Sequence, residues 1–255
     1  MGVLSHPFRV VTRVTWLGLE LVLLAVLYFF GVVLRRNHSL IGARAHWLQK
    51  GCRRVLRVFN AEVRSNGRVP RNGLLVSNHL GYLDILVLGA LTPAVFVAKR
   101  DVKHWPIFGW FARLGGTLFA DRQRRSQVGD LTKEMQSVLN DGSVVILFPE
   151  GTSSDGQTVL PFKSALLEPA AACPYPLTST LITYALEDGV VGEEVCYWKD
   201  MTLVPHLLNL LSKKRIEASV QFSEVRKNST NRKELARQLH DEVLKLHFHH
   251  SSVPG

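Results

Sequence analysis

The chain has 255 residues and carries a formal net charge of +10, with a pI near 9.8. This length allows one substantial hydrophobic core and does not exclude two small domains. The charge suits an anionic lipid or an acidic substrate; no zinc-finger, RNA-binding or basic heptad pattern occurs, so we predict no nucleic-acid partner.

The first predicted element is an apolar helix over residues 14–34, in which Glu20 is the one charged residue. About 20 helical residues cross the roughly 30 Å hydrocarbon core of a bilayer. A cleaved signal peptide is the alternative interpretation. Its apolar region is normally shorter, however, and Arg35 and Arg36 stand where small residues should mark a cleavage site.

A second, basic amphipathic helix is predicted over residues 40–59. Such a helix commonly lies in the interface of an anionic membrane, and a solvated outer helix of a globular domain is the alternative. We predict a membrane anchor in residues 1–59 and a separate domain in residues 60–255. More Arg and Lys follow the apolar segment than precede it, which predicts that this domain is cytoplasmic, at the inner membrane if the source is bacterial. The pattern leaves open whether the anchor spans the bilayer or enters one leaflet.

After residue 60, short β-like runs alternate with helical runs. Strands are predicted at residues 61–64, 73–77, 94–98, 117–120, 143–148, 177–184 and 217–222. Helices are predicted at residues 82–91, 106–114, 124–141, 164–172, 205–211 and 230–247. This alternation indicates an α/β fold with a mixed, largely parallel sheet flanked by helices.

A first motif, Asn-His-Leu-Gly-Tyr-Leu-Asp, follows the strand predicted at residues 73–77. Ligands usually bind beyond the strand ends of open α/β sheets. With His79 in the loop and Asp84 in the first helical turn, the two side chains can meet. A carboxylate on one imidazole nitrogen fixes the tautomer and frees the other nitrogen to take a proton, so the pair predicts a general base. A core histidine or a helix-capping aspartate would give the same spacing.

A second motif, Phe-Pro-Glu-Gly-Thr at residues 148–152, follows the next long apolar run. The stretch from Glu150 to Gly156, which includes Gly151 and Thr152, is predicted to form a nest of backbone N–H groups, with hydroxyls added, that binds an anion. A Gly-rich turn without a ligand is the alternative. The chain has no nucleotide phosphate loop and no serine-hydrolase elbow. Other hydroxyls that could act as nucleophiles are Ser77, Ser153 and Ser154.

In this order the two motifs resemble the glycerophospholipid acyltransferase family, the 1-acyl-sn-glycerol-3-phosphate acyltransferases and their relatives, which carry N-H-x4-D and F-P-E-G-T blocks. Residues 116–122 match the family's G-x-x-F-x-x-R block, with Arg122 as its last residue. The family usually has a polar residue where Gly81 stands. The resemblance runs from about residue 60 to residue 184.

The resemblance implies that His79 is the catalytic base and that Asp84 orients it. It assigns the acceptor head group to Arg122, Glu150, Gly151 and Thr152. The implied donor is acyl-CoA or an acyl-carrier protein, and no metal or organic cofactor is implied. The acceptor would be a lysolipid such as 1-acyl-glycerol-3-phosphate, giving phosphatidic acid, with lyso-ornithine or another amino-acid lysolipid as the alternative. The rival classes are a non-catalytic membrane lipid-binding protein and a lipid hydrolase.

Overall fold

Strands from most of the chain join into one sheet in the computed structural model, which describes residues 6–34, 39–120, 126–172 and 174–251. The strands are β1 (Ala61–Asn66), β2 (Gly73–Ser77), β3 (Ala94–Lys99), β4 (Leu118–Ala120), β5 (Val144–Leu147), β6 (Leu177–Leu186) and β7 (Ile216–Val225). Their order across the sheet is β1-β7-β6-β2-β5-β3-β4. Strands β2 to β6 run parallel to one another, whereas β7 pairs antiparallel with β6 and parallel with β1. The predicted fold class is therefore confirmed.

Helices cover both faces of the sheet. They are α1 (Pro7–Tyr28), α2 (Leu40–Val58), α3 (Leu83–Leu91), α4 (Phe108–Leu114), α5 (Ser126–Asn140), α6 (Glu168–Ala172), α7 (Val191–Glu194), α8 (Leu203–Ser212) and α9 (Arg232–Ser251). A π-helical turn, Phe29–Val33, continues α1, and 3-10 turns lie at Arg100–His104 and Ser164–Leu167. Helix α7 and the turn at Arg100–His104 were not predicted, because a single turn is too short to show a helical period.

Two apolar layers hold the sheet between these helices. One layer contains side chains of α1, α2, α3 and α8, and the other contains side chains of α5, α6 and α9. Every residue of β2 and of β5 is buried. Parallel strands that are covered on both faces are continuously apolar, which is why these two runs were recognisable from the sequence.

The apolar helix starts earlier than predicted, at Pro7 rather than at residue 14. Its first turns contain the charged residues Arg9 and Arg13, so a prediction from apolar residues alone does not include them. Both guanidinium groups bond to backbone carbonyls at the end of α8: Arg9 Nη1 donates to Ser212 O at 2.7 Å and Arg13 Nη1 donates to Leu211 O at 3.0 Å. Carbonyls at a helix C-terminus lack intrahelical partners, so these two charges extend α1 by satisfying them.

Helix α1 lies along the domain over its whole length. Glu20 forms a two-point ion pair with Arg54 of α2, at 2.5 and 3.1 Å, and the Trp47 ring N–H donates to Leu24 O at 2.9 Å. The opposite face of the helix is apolar and exposed at Phe8, Val11, Leu19, Val22, Val26, Phe29 and Phe30. The helical stretch from Pro7 to Val33 has 27 residues, and an 18-residue window within it has a mean hydropathy of 2.2, so it is long and apolar enough to cross a membrane.

Helix α2 turns its apolar face toward the domain. Trp47, Cys52, Val55 and Leu56 are buried, and they share one core with α1 and α3. This arrangement matches the predicted alternative of an outer helix of the domain rather than a helix whose apolar face enters lipid. The boundary predicted between residues 59 and 60 consequently separates two segments that pack against a common core.

The Glu20–Arg54 pair should stabilise the contact between α1 and α2. The Glu20 side chain is 9% exposed and that of Arg54 is 34% exposed, so removing the carboxylate leaves a half-buried, unpaired guanidinium. We expect Glu20→Ala to lower the free energy of unfolding by about 2 kcal/mol, measured by denaturant unfolding in detergent micelles. Glu168→Ala, which breaks the exposed pair with Arg232, should change it far less. Equal losses in the two variants would contradict this account.

Candidate active site

The two motifs lie side by side because β2 and β5 are neighbours in the sheet. Val76 is in register with Leu147, and the two parallel strands end at Ser77 and Leu147. The loops that follow them therefore leave the same edge of the sheet. This is the position at which open α/β sheets bind ligands.

Asn78 fixes the direction in which the first loop leaves the sheet. Its side-chain amide donates to Ile182 O at 2.9 Å, and Ile182 N–H donates back to the amide oxygen at 2.8 Å. The side chain thus continues the pairing of β2 with β6 after the backbone has turned away. Asn78 is buried, so the loss of this clamp would leave both backbone groups of Ile182 without partners.

His79 and Asp84 meet as predicted. His79 Nδ1 lies 2.8 Å from Asp84 Oδ2, and the carboxylate is completely buried while the imidazole is partly exposed. Because an ionised carboxylate only accepts hydrogen bonds, Nδ1 carries the proton and Nε2 keeps a free lone pair. The backbone N–H groups of Leu80 and Gly81 also donate to Oδ2, at 2.6 and 3.0 Å. The arrangement can take a proton from a substrate at Nε2.

A tyrosine from β6 completes the surroundings of Asp84. The Tyr184 hydroxyl donates to Asp84 Oδ1 at 2.7 Å, across 100 positions of sequence. In the sequence, Tyr184 marks only the end of the strand predicted at residues 177–184. Nothing in the local sequence marks this contact, since it depends on which strand lies beside β2.

Phe148 holds the plane of the His79 ring. The two rings stack with their centroids 4.1 Å apart and their planes 20° apart. Phe148 is the first residue of the second motif and follows β5 directly. The two motifs are thereby joined through an aromatic contact. The sequence did not predict it, because Phe148 was used only to recognise the second motif and was given no role in the site.

Glu150 is a buried carboxyl beside this pair. It is 2% exposed; Oε1 accepts the Leu160 N–H at 3.3 Å, and Oε2 has no hydrogen-bond partner within the described residues. Burial raises the pKa of Glu150 to about 8, and the negative charge of Asp84 adds to the shift. Glu150 therefore holds its proton at neutral pH and can donate as well as accept a hydrogen bond.

The turn after Glu150 is organised differently from the predicted anion nest. The Gly151 N–H donates to Phe148 O at 3.1 Å and the Ser154 N–H donates to His79 O at 2.9 Å, so these two donors are used within the protein. Gly151 has a φ of 72°, which a glycine adopts without strain. Thr152 is exposed beside it. Contact of Gly151 and Thr152 with a substrate stays a prediction.

A segment after α7 ties both loops together. The Tyr197 N–H donates to Leu80 O at 2.7 Å, and the Ser153 hydroxyl donates to Tyr197 O at 2.5 Å. A Cβ atom on Gly81 would lie 2.9 Å from Tyr197 N, closer than real side chains approach. The absence of a side chain at Gly81 is therefore explained by the close passage of this segment.

The alternative nucleophiles Ser77 and Ser153 are poorly placed. Ser77 is completely buried and donates to the Asn78 side chain at 3.3 Å, while the Ser153 hydroxyl is used in the bond to Tyr197. Burial raises the pKa of the Cys52 thiol and of the Cys196 thiol to about 12, so both stay protonated. Arg122 lies outside the described residues, and so does Cys173.

Comparisons with known proteins agree on one class. A family model described as Acyltransferase matches residues 59–183. The lyso-ornithine lipid O-acyltransferase of Rhizobium meliloti (strain 1021) is 36% identical over 217 residues, which cover 79% of this chain and 73% of that protein. The 1-acyl-sn-glycerol-3-phosphate acyltransferase of Neisseria gonorrhoeae is 31% identical over 153 residues, 60% of each chain.

A solved structure has the same fold. The crystal structure of the 1-acyl-sn-glycerophosphate acyltransferase from Thermotoga maritima superposes with a TM-score of 0.65, covering 97% of this chain and 99% of that one. The sequence identity is 21%, so this likeness concerns the fold alone.

The raised pKa of Glu150 predicts a pH-dependent cost to stability. An ordinary glutamate has a pKa of 4.5, so between that pH and about 8 the folded protein binds a proton that the unfolded chain has lost. The free energy of unfolding therefore falls as pH rises through this window. Glutamine has nearly the same shape and never ionises. We expect the thermal midpoint of Glu150→Gln, relative to the unmodified protein, to be higher at pH 9 than at pH 5.

Glu134→Gln is the matched control, since Glu134 is exposed on α5. Differential scanning fluorimetry of the three proteins across this pH range measures the effect. A constant difference between Glu150→Gln and the unmodified protein would show that Glu150 is ionised in the fold.

Proposed function

The chain belongs to the glycerophospholipid acyltransferase family, and we propose that it transfers a fatty acyl group from a thioester donor to the free hydroxyl of a membrane lysolipid. The observation that carries this proposal is the His79–Asp84 pair at the edge of the sheet, with Nδ1 held at 2.8 Å by a buried carboxylate. A base held in one tautomer by a buried anion is what deprotonation of an alcohol requires.

In the proposed reaction, His79 Nε2 takes the proton from the lysolipid hydroxyl while the oxygen attacks the thioester carbonyl carbon. The tetrahedral intermediate then expels the thiolate of CoA or of an acyl-carrier protein, and the imidazolium returns the proton to that sulfur. Asp84 stabilises the imidazolium in between. The thioester supplies the driving force, so we propose that no metal or organic cofactor takes part.

Transfer without an acyl-enzyme fits the positions of the hydroxyls and thiols. The hydroxyls of Ser77 and Ser153 donate hydrogen bonds to other groups of the protein, and the thiols of Cys52 and Cys196 are buried. We propose that Arg122, with the turn from Glu150 to Thr152, holds the head group of the acceptor. Glu150 supports this role because its carboxyl lies beside the His79–Asp84 pair and no described residue bonds to its Oε2.

The preferred acceptor is a lyso-ornithine lipid in this proposal. The lyso-ornithine relative matches 79% of this chain at 36% identity, against 60% at 31% identity for the 1-acyl-sn-glycerol-3-phosphate relative. The longer match reverses the order of preference that the motifs alone indicated. Lysophosphatidic acid is the second candidate, supported by the name of the Neisseria relative.

Product analysis with a panel of acceptors tests the proposal. The purified protein is given lyso-ornithine lipid or lysophosphatidic acid with acyl-CoA or acyl-carrier protein, and products are followed by mass spectrometry. We expect the acylated ornithine lipid to form at least about tenfold faster, which is a 1.4 kcal/mol difference in transition-state stabilisation. Faster formation of phosphatidic acid would assign the second candidate. Free fatty acid alone would indicate a hydrolase, and binding without any turnover would indicate a lipid-binding protein.

The same assay contains the control for the chemistry. His79→Ala should lower turnover by about two to four orders of magnitude, the usual contribution of a general base, in a protein that still folds cooperatively. His46→Ala, which removes an exposed histidine on α2, should keep full activity.

We further propose that α1 enters one leaflet of the membrane, with the domain on the cytoplasmic side, at the inner membrane in a bacterium. Arg9, Glu20 and Leu24 bind the domain along one side of the helix, over about four turns. A perpendicular span would pull these contacts apart or draw the domain into lipid. The exposed apolar face would instead lie in the acyl layer, with the basic residues of α2 near anionic head groups.

Cysteine labelling distinguishes the two topologies. In a chain whose three natural cysteines are replaced by alanine, a single cysteine is placed at Phe8, Val22 or Leu34, all of them exposed. The protein is reconstituted into sealed vesicles and treated with a membrane-impermeant maleimide. A one-leaflet anchor predicts that Phe8→Cys and Leu34→Cys react from the same side while Val22→Cys is protected. Reaction of the two ends from opposite sides would demonstrate a span.

A further inference from the structure

The Asp84 carboxylate is held from two directions. Oδ2 receives the His79 ring N–H and the backbone N–H groups of Leu80 and Gly81, all from the first motif itself. Oδ1 receives the Tyr184 hydroxyl at 2.7 Å. The second contact comes from β6, and Tyr184 lies one residue beyond the stretch that the family model matches.

The register of the sheet brings Tyr184 to this position. Ser77 of β2 is paired with Thr180 of β6, and Asn78 clamps Ile182. Alternate residues of a strand share a face, so Tyr184 follows Ile182 on the same face, about 7 Å further along. At that distance beyond the end of β2, its hydroxyl reaches the first turn of α3, which contains Asp84.

We propose that Tyr184 is a positioning residue for the catalytic base, and this inference rests on the proposed function of His79. An aspartate carboxyl rotates over a broad range about its last torsion. Donors on both oxygens stop that rotation and keep Oδ2 in line with Nδ1 of His79. The hydrogen bond from the Tyr184 hydroxyl also disperses part of the negative charge of Asp84. The carboxylate therefore stabilises the protonated imidazole of His79 less strongly.

Ionisable groups from several neighbouring elements surround the His79–Asp84 pair and Tyr184. They are Glu150 after β5, Tyr184 on β6, Cys196 after α7 and Tyr82 in the motif's own loop. Burial, followed by the charge of Asp84, holds the pKa of Tyr184 well above its usual range. The pKa of Tyr82 is likewise raised by burial. Both tyrosines therefore remain hydroxyl donors throughout the pH range of an assay.

Tyr184→Phe tests the proposal because it removes one oxygen and keeps the ring. Without this donor the carboxylate has more negative charge and attracts the imidazolium more strongly. We expect the acidic limb of the kcat/KM profile to move up by about one pH unit. At neutral pH, kcat should fall about tenfold, with the KM of donor and acceptor within about twofold.

Tyr82→Phe is the matched control. The Tyr82 hydroxyl is also buried and bonds to His206 Nδ1 at 2.9 Å, but it does not contact Asp84. Tyr82→Phe should lower the thermal midpoint by a similar amount as Tyr184→Phe, and it should leave the acidic limb of the kcat/KM profile unchanged. An unmoved limb in Tyr184→Phe, or equal shifts in the two variants, would overturn the proposal.

An NMR titration of the His79 ring separates this inference from the proposed function. Histidine-labelled protein, with His79→Ala for assignment, is titrated without any substrate. The midpoint of the His79 titration should be higher in Tyr184→Phe than in the unmodified protein, and unchanged in Tyr82→Phe. This result would support the positioning role even if no lysolipid were acylated, whereas an unchanged midpoint in Tyr184→Phe would exclude it.

Discussion

A buried negative charge organises the site. Asp84 has no access to water, and a carboxylate in that position must be surrounded by hydrogen-bond donors or it destabilises the fold. Four donors meet this requirement: the His79 ring, two backbone N–H groups of the same loop, and the Tyr184 hydroxyl. Satisfying the charge therefore sets the path of the loop, the tautomer of His79 and the contact with β6 at the same time.

The second carboxyl of the site has a different environment. Glu150 is almost as deeply buried as Asp84 but has fewer donors, the backbone N–H groups of Leu160 and His79, and its pKa rises to about 8. Two acids within one small region thus differ in the number of donors that face them. This difference leaves one carboxyl to stabilise the imidazole and the other protonated at neutral pH, the form in which we propose that it contacts the acceptor.

Helix α1, the proposed anchor, is packed onto the domain at several points along its length. Arg9 and Glu20 connect α1 to α8 and α2, and α2 in turn packs its apolar side chains into the core below α3. Helix α3 begins at the loop that contains His79. The exposed apolar face of α1 and the base are consequently connected through one core, which in the proposed membrane arrangement would keep the site at a constant distance from the lipid surface.

Local patterns in the sequence determined much of this protein. Apolar runs located the strands, helical spacing located α2, and motif spacing identified His79, Asp84 and Glu150, because these signals depend on residues close together in the chain. The tertiary structure decided the rest. The start of α1 depends on carbonyls of α8, the covering of α2 depends on α3, and the Tyr184 contact depends on β6 lying beside β2. Each of these joins residues far apart in sequence, whose pairing is determined by the packing of the complete core.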